Sequence, residues 1–327
     1  MRNKLNRDIV NEFYKYIPQT KELAHFLMET LDLSKESVYR RLRSEVPFTF
    51  DEISIIAIRL EISLDELIGL KDPNQAIFHM PLYKADDPLD AYLEIFGSNI
   101  DSLSKVRNAG TSKITCVLNR LPYGVTLYFE NISKFYYYKW LFHTQKGESS
   151  IKFSDFELPS QVKADYDRYI FESENIRNCQ MDIIVDENVF LYMVREILYF
   201  YKRGLINDKD LLLFQDELLK VVELTEDVNK LGVNKTESSI CFYLSSVDIV
   251  SNYSYIEYDT VKCVQFWSPA SEIVISYNSE LCRRTEGWIE SLKRYTTLIT
   301  QCDDIQQVGY LNKQRTLIQN IANFEID

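Results

Sequence analysis

The sequence predicts two domains of different class: an all-α bundle of five short helices at the N-terminus, then a larger α+β domain with an antiparallel sheet. Three observations lead there. The chain has 327 residues, beyond the ~100–200 of one typical domain. Residues 1–70 hold one helical pattern after another, with tight connections and no strand pattern between them. Beyond residue 88, helical and strand-like stretches mix without a regular strand–helix–strand cadence, which argues for antiparallel pairing. The boundaries fall at 1–72 for the first domain, 73–88 for a connector and 89–327 for the second. Pro73, Pro81 and Pro88 push their predecessors out of helical geometry, so the connector is extended.

In the first domain, residues 7–17 place Ile9, Val10, Phe13, Tyr14 and Ile17 at helical spacing, and Pro18 stops the run. Residues 20–31 follow, with Leu23, Leu27 and Leu31 four apart and Thr20 as N-cap. After a short turn at Asp32-Leu33-Ser34, the spacing resumes over 34–43 with Val38 and Leu42 inward and Ser34 capping. Residues 49–60 open on a capping box, Thr49 to Glu52, and carry Ile53, Ile56, Ala57 and Leu60 on one side. A second box, Ser63 to Glu66, opens a fifth helix over 63–68 that ends at Gly69.

The second domain reads as a helix over 88–107, a strand over 113–118 and one long buried helix over the aromatic-dense 123–143. A helix over 160–174, a strand over 179–185 and amphipathic helices over 187–203 and 207–231 follow. Stretches 239–246, 253–258 and 261–267 are β-rich, and helices at 280–298 and 307–322 close the chain. The run Phe135 to Trp140 holds three consecutive tyrosines, which point to three faces of a helix. Such a density of aromatics favours core or a dimer interface over the lining of a ligand cavity. Residues 266–271 form a small-residue loop after a strand, where a pocket rim could sit. The Asp303-Asp304 pair reads as a solvated turn, since no third metal ligand accompanies it.

Composition narrows the function classes. Hydrophobic residues are 46% and charged residues 26%, enough to bury a core, and only 9 Gly and 8 Pro exclude fibrous or disordered classes. No apolar stretch reaches the ~18 residues a membrane helix needs, and no apolar run follows the N-terminus as a secretion signal would. The expected place is the cytoplasm. Six cysteines without a CxxC pair fit reduced thiols. His25, His79 and His143 form no HExxH and neighbour no nucleophile signature, and neither GxGxxG nor Walker A occurs. No catalytic residue, cofactor or metal ligand is therefore expected, and the chain does not read as an enzyme.

Net charge is −12, at first sight wrong for nucleic acid. Where the cations sit matters more. Residues 1–70 hold ten Lys or Arg against twelve Asp or Glu, a net of −2, which leaves −12 − (−2) = −10 for the rest. Residues 33–44 (LSKESVYRRLRS) carry Lys35, Arg40, Arg41 and Arg43 against Glu36 alone, a local +3. A three-residue turn would lock this helix across the preceding one, with Leu27, Leu31, Leu33, Val38 and Leu42 inward and Lys35, Glu36, Ser37, Arg40 and Arg41 outward. A major groove accepts such a helix.

On Leu27-x3-Leu31-Asp32-Leu33-Ser34 through Leu42 to Glu45, with Phe48 to Glu52 and Ile62 to Ile68, the segment resembles the lambda-repressor-like, Xre-type helix-turn-helix family. Asp32 stands where that family usually has a turn glycine, and Asp tolerates the left-handed conformation better than most residues. The resemblance covers about the first fifth of the chain and implies a five-helix lambda-repressor-like bundle that binds double-stranded DNA. It implies Ser34 as a phosphate-contacting N-cap, Lys35, Glu36 and Arg40 as base readers, and Arg41, Arg43 and Thr49 as backbone contacts. Ser37 and Tyr39 complete the expected contact set. The function so implied is sequence-specific transcriptional regulation by a homodimer, the second domain sensing a small-molecule or protein effector or mediating dimerisation. The alternative is a helical protein-docking module in a signalling adaptor that binds no DNA.

Overall fold

The computed structural model describes residues 2–60, 62, 64, 76–80, 82, 87–144, 151–268, 272–301 and 304–321. The chain divides into two compact units, Met1–Ile77 and Phe78–Asp327. Within the connector expected at 73–88, residues 78–80 belong to the second unit: His79 and Ile275 exchange backbone hydrogen bonds of 2.7 and 2.8 Å.

In the first unit, α1 (Arg2–Tyr16), α2 (Thr20–Leu31), α3 (Lys35–Leu42) and α4 (Phe50–Leu60) share one core. Ile9, Val10, Phe13, Leu23, Leu27, Val38, Ile53 and Ile56 are buried there, and Leu31, Leu33 and Leu42 pack on it partly covered. Phe13 meets Phe48 edge to face at 5.5 Å, which ties the first helix to the segment entering the fourth. The fifth helix expected over 63–68 lies outside the described residues except for Leu64.

The second unit holds α5 (Pro88–Asn108), β1 (Ser112–Leu118), α6 (Tyr123–Thr126), α7 (Glu130–Thr144), α8 (Ser160–Glu174), β2 (Cys179–Asp186), α9 (Val189–Lys202) and α10 (Asp208–Leu231). Then come β3 (Ser239–Ser245), β4 (Tyr253–Tyr258), β5 (Val261–Trp267), β6 (Ile273–Ser276), α11 (Ser279–Lys293), β7 (Thr296–Leu298) and α12 (Asp304–Gln319). The sheet order is β6-β5-β4-β1-β2-β3-β7. β1, β2 and β3 run parallel, Cys116 opposite Ile183 and Ile183 opposite Phe242, and every other pairing is antiparallel.

The expected architecture is thereby corrected. Among the described residues there are twelve α-helices and one mixed seven-stranded sheet, not a five-helix bundle joined to an antiparallel sheet. The reason lies in the connections. Residues 119–178 and 187–238 each carry helices back along the sheet and return the chain to the same end, which forces parallel pairing. Two helices in one crossover and three in the other hide the strand–helix–strand cadence from a reading of periodicity. The long helix expected over 123–143 is also two helices, broken at residues 127–129.

One face of the sheet packs against α7, α9, α10 and α12 through Leu118, Val185, Phe242, Phe135, Phe190 and Phe214. The other is covered by α11, whose Cys282 and Ile289 meet Val117, Ile184, Tyr255 and Val264. The aromatic run is core, with Phe135, Tyr137, Tyr138 and Trp140 buried and Tyr136 half-buried. Glu217 on α10 caps α7, accepting from the Asn131 and Ile132 backbone N–H groups at 3.0 and 2.9 Å. No described helix is long and apolar enough to cross a membrane, and no described cluster of His, Cys, Asp or Glu could hold a metal ion. Cys116, Cys179, Cys241, Cys263 and Cys282 are free thiols; Cys302, Asp303 and 269–271 of the expected pocket rim lie outside the described residues.

Candidate nucleic-acid interface

The turn into α3 is made by Asp32, whose φ of 51° and ψ of 47° are left-handed. Its neighbour Leu33 donates its N–H back to the Met28 carbonyl at 3.3 Å, closing the end of α2. Ser34, extended at φ −64° and ψ 152°, caps α3: its Oγ accepts from the Ser37 N–H at 3.3 Å and donates to Ser37 Oγ at 3.0 Å. Val38 is the anchor, fully buried against α2. With Val38 inward, helical spacing turns Lys35, Glu36 and Arg40 to the surface, and all three are exposed together with Ser34, Arg43 and Thr49. Ser37, Tyr39 and Arg41 are half-buried.

No protein-family model, curated protein or solved structure matches the chain. The site therefore stands on its own geometry.

The four cations differ in how they are engaged. Arg41 forms a two-pronged pair with Glu52 of α4, Nε to Oε2 at 3.1 Å and Nη2 to Oε1 at 2.7 Å, and its Nη1 donates to the Ser37 carbonyl at 3.3 Å. Only 15% of its side chain is exposed. Glu52 in turn accepts from the Thr49 N–H at 2.8 Å, while Thr49 Oγ1 accepts from the Glu52 N–H at 3.2 Å, a complete capping box. Of the residues expected as backbone contacts, Arg41 thus joins α3 to α4 through Glu52, and Thr49, exposed, caps α4. Arg43 and Arg40 share Glu45, at 2.6 Å from Arg43 Nε and 3.7 Å from Arg40 Nε. The hydrogen bond from Arg43 holds the Glu45 carboxyl below its ordinary range, and Glu45 raises the Arg43 guanidinium in return. Lys35 makes no ion pair among the described residues.

Asn6 is a residue that motif and spacing did not bring out, and neither did they show the pairing of Glu52 with Arg41 or of Glu45 with Arg40 and Arg43. Asn6 on α1 is buried and donates to Ser44 Oγ at 3.0 Å and to the Arg41 carbonyl at 3.4 Å, while its Oδ1 accepts from the Phe48 N–H at 2.9 Å. One side chain thereby fixes the exit of α3, where Ser44 is left-handed at φ 59°, and the approach to α4. Its partners lie 35 to 42 positions away, so no local pattern carries the signal.

Proposed function

We propose that the first unit binds double-stranded DNA through the exposed face of α3, and that the chain is a cytoplasmic, dimeric transcriptional regulator whose second unit senses an effector or carries the dimer contact. The resemblance to Xre-type helix-turn-helix regulators, carried by residues 27–45, 48–52 and 62–68, supports the reading. One observation carries it: Val38 and the Asp32 turn hold α3 so that Ser34, Lys35 and Glu36 at its start and Arg40 in its last turn are all exposed. Arg40 has the fork for guanine O6 and N7, Glu36 the acceptor for cytosine N4, and Ser34 the position for a phosphate. Arg41, Glu52 and Asn6 position this face and stay out of the groove.

The test is an unbiased selection of DNA sites at low salt, followed by binding of the selected site to Arg40→Ala and Lys35→Ala variants. Arg40→Ala is expected to lose about 1–3 kcal/mol of binding and to relax preference at one base position, with the thermal midpoint unchanged. Unaltered binding by Arg40→Ala would remove α3 as the reading element.

A second reading has one observation in its favour. The outer side of α4 exposes Phe50 (65%) and Ile58 (78%), with Ile55 beside them, an apolar surface suited to a protein partner. If that reading holds, selection yields no enriched site and the protein is not retained on heparin.

A further inference from the structure

The helix-covered face of the sheet is not closed at its centre. Side chains in the middle of central strands are ordinarily shut off from water when helices cover them. Cys116 on β1, and Met181 and Ile183 on β2, stand on that face and are all half-buried. Cys116 and Ile183 are register partners and Met181 is two residues before Ile183 on the same face, so the three make one patch, with Ile114 beside Met181 buried. The next pair along, Leu118 and Val185, is fully buried, so the opening is local.

Aromatic side chains pack against the same buried cluster as this patch. The Tyr123 ring lies 5.1 Å from Tyr136, 5.9 Å from Tyr169 and 6.4 Å from Trp267, the last stacked at 26°. Tyr136, Tyr169 and Trp267 are half-buried, like the strand residues beneath. Arg120, on the loop leaving β1, lays its guanidinium 4.2 Å from the Trp267 ring centre and 5.1 Å from that of Tyr123. Cys116, Met181 and Ile183 share their packing cluster with Tyr136 and Trp267, and Trp267 carries the Arg120 guanidinium, which joins the strand patch to the arginine. This corner lies outside the carboxyl ends of β1 and β5, where open α/β sheets hold ligands.

The wall carries unspent hydrogen-bonding capacity. Trp267 Nε1 is shut off from water and has no partner among the described residues. Arg120 makes no ion pair among the described residues. Buried polar groups are nearly always paired, so the Trp267 N–H calls for an acceptor, and the half-buried Arg120 guanidinium beside it can meet an anion. Burial keeps Tyr136 and Tyr169 well above the ordinary phenol range, and pushes the Cys116 thiol up to about 11, so none offers a competing negative charge. Lys139, near Tyr136, is already paired with Glu196 at 2.6 Å. One unpaired cation then matches one negative charge.

We propose that this recess binds a small monocarboxylate with a flat apolar body, its carboxylate on the Arg120 fork and its body among Tyr123, Tyr136, Tyr169 and Trp267. The site deepens the reading of the second unit as the sensing part of a regulator, and rests on that reading only for its biological role.

Calorimetry on the full chain, without DNA, tests it with benzoate, naphthoate and octanoate as probes and with naphthamide and inorganic phosphate as controls. An aryl carboxylate is expected to bind saturably, one per chain, with naphthamide and phosphate ~10-fold or more weaker. Arg120→Gln should weaken it ~10–100-fold, and Arg120→Lys, which keeps the charge without the fork, should recover part of the loss. Trp267→Phe keeps the stacking surface and removes the N–H, and should weaken binding while the thermal midpoint holds. The proposal is overturned if none of the three carboxylates saturates, if naphthamide binds as well as naphthoate, if octanoate binds best, or if Arg120→Gln binds like the parent. Because no DNA is present, the result is independent of what substitutions at Lys35 and Arg40 do.

Discussion

Glu45 decides how much positive charge α3 offers. Its carboxylate bridges Arg43 and Arg40, the two arginines of the segment that are not tied to α4. At neutral pH it stays ionised, since Arg43 depresses its proton affinity, so DNA must compete with it for both guanidinium groups, a base edge for Arg40 and a phosphate for Arg43. Removing the charge while keeping the shape should then favour DNA. Glu45→Gln is expected to tighten binding by ~3–10-fold at low salt and to steepen the salt dependence by about one phosphate's worth. Titrating labelled DNA at several salt concentrations reads both numbers. An unchanged slope would mean that Arg43 does not meet phosphate. Arg41 shows why residue type alone misleads: it neighbours Arg40 in sequence, yet its fork is spent on Glu52.

At the scale of elements, the α2–α3 turn is where sequence and structure agree most closely, and the sheet is where they part. The turn depends on groups within a few positions: Asp32 left-handed, Leu33 bonded back to Met28, Ser34 capping Ser37. The capping box of Thr49 and Glu52 and the start of α10 at Asn207 are equally local, and all were legible. Parallel pairing of β1, β2 and β3 joins residues about sixty apart, and nothing in their periodicity states a direction. β7 spans only three residues, too few for alternation to register. The recess over Cys116 was equally hidden, because it is a gap between helices and not a pattern along one. The turn also bears a prediction. Asp32 holds a conformation that Gly adopts freely and β-branched residues resist. Asp32→Gly should leave stability within a few tenths of a kcal/mol or raise it, whereas Asp32→Val should cost about 1–2 kcal/mol. Urea denaturation separates the two. Equal stabilities would mean the backbone at 32 is not left-handed in solution.

At the scale of the whole molecule, the charge asymmetry restricts how DNA can approach. Residues beyond 70 carry a net −10 and residues 33–44 a local +3, so the charge field turns a duplex away from most of the chain. One α3 offers few base contacts, and the affinity a single copy reaches is correspondingly small. Two copies held together convert the second contact into an intramolecular step, worth ~100-fold or more when the spacing fits. A twofold pair of α3 helices requires half-sites about one helical turn, ~34 Å, apart or a multiple of it. Selected sites should therefore be inverted repeats with a fixed centre-to-centre distance. Inserting about five base pairs between the halves rotates one to the opposite side of the duplex and should cost most of the avidity gain, returning binding to that of a single half-site. Adding about ten base pairs restores the facing and should recover affinity if the second unit can span the added length. A selection that returns single half-sites, or an insertion series without a helical period, would leave α3 a monomeric reader and assign the second unit a role other than dimerisation.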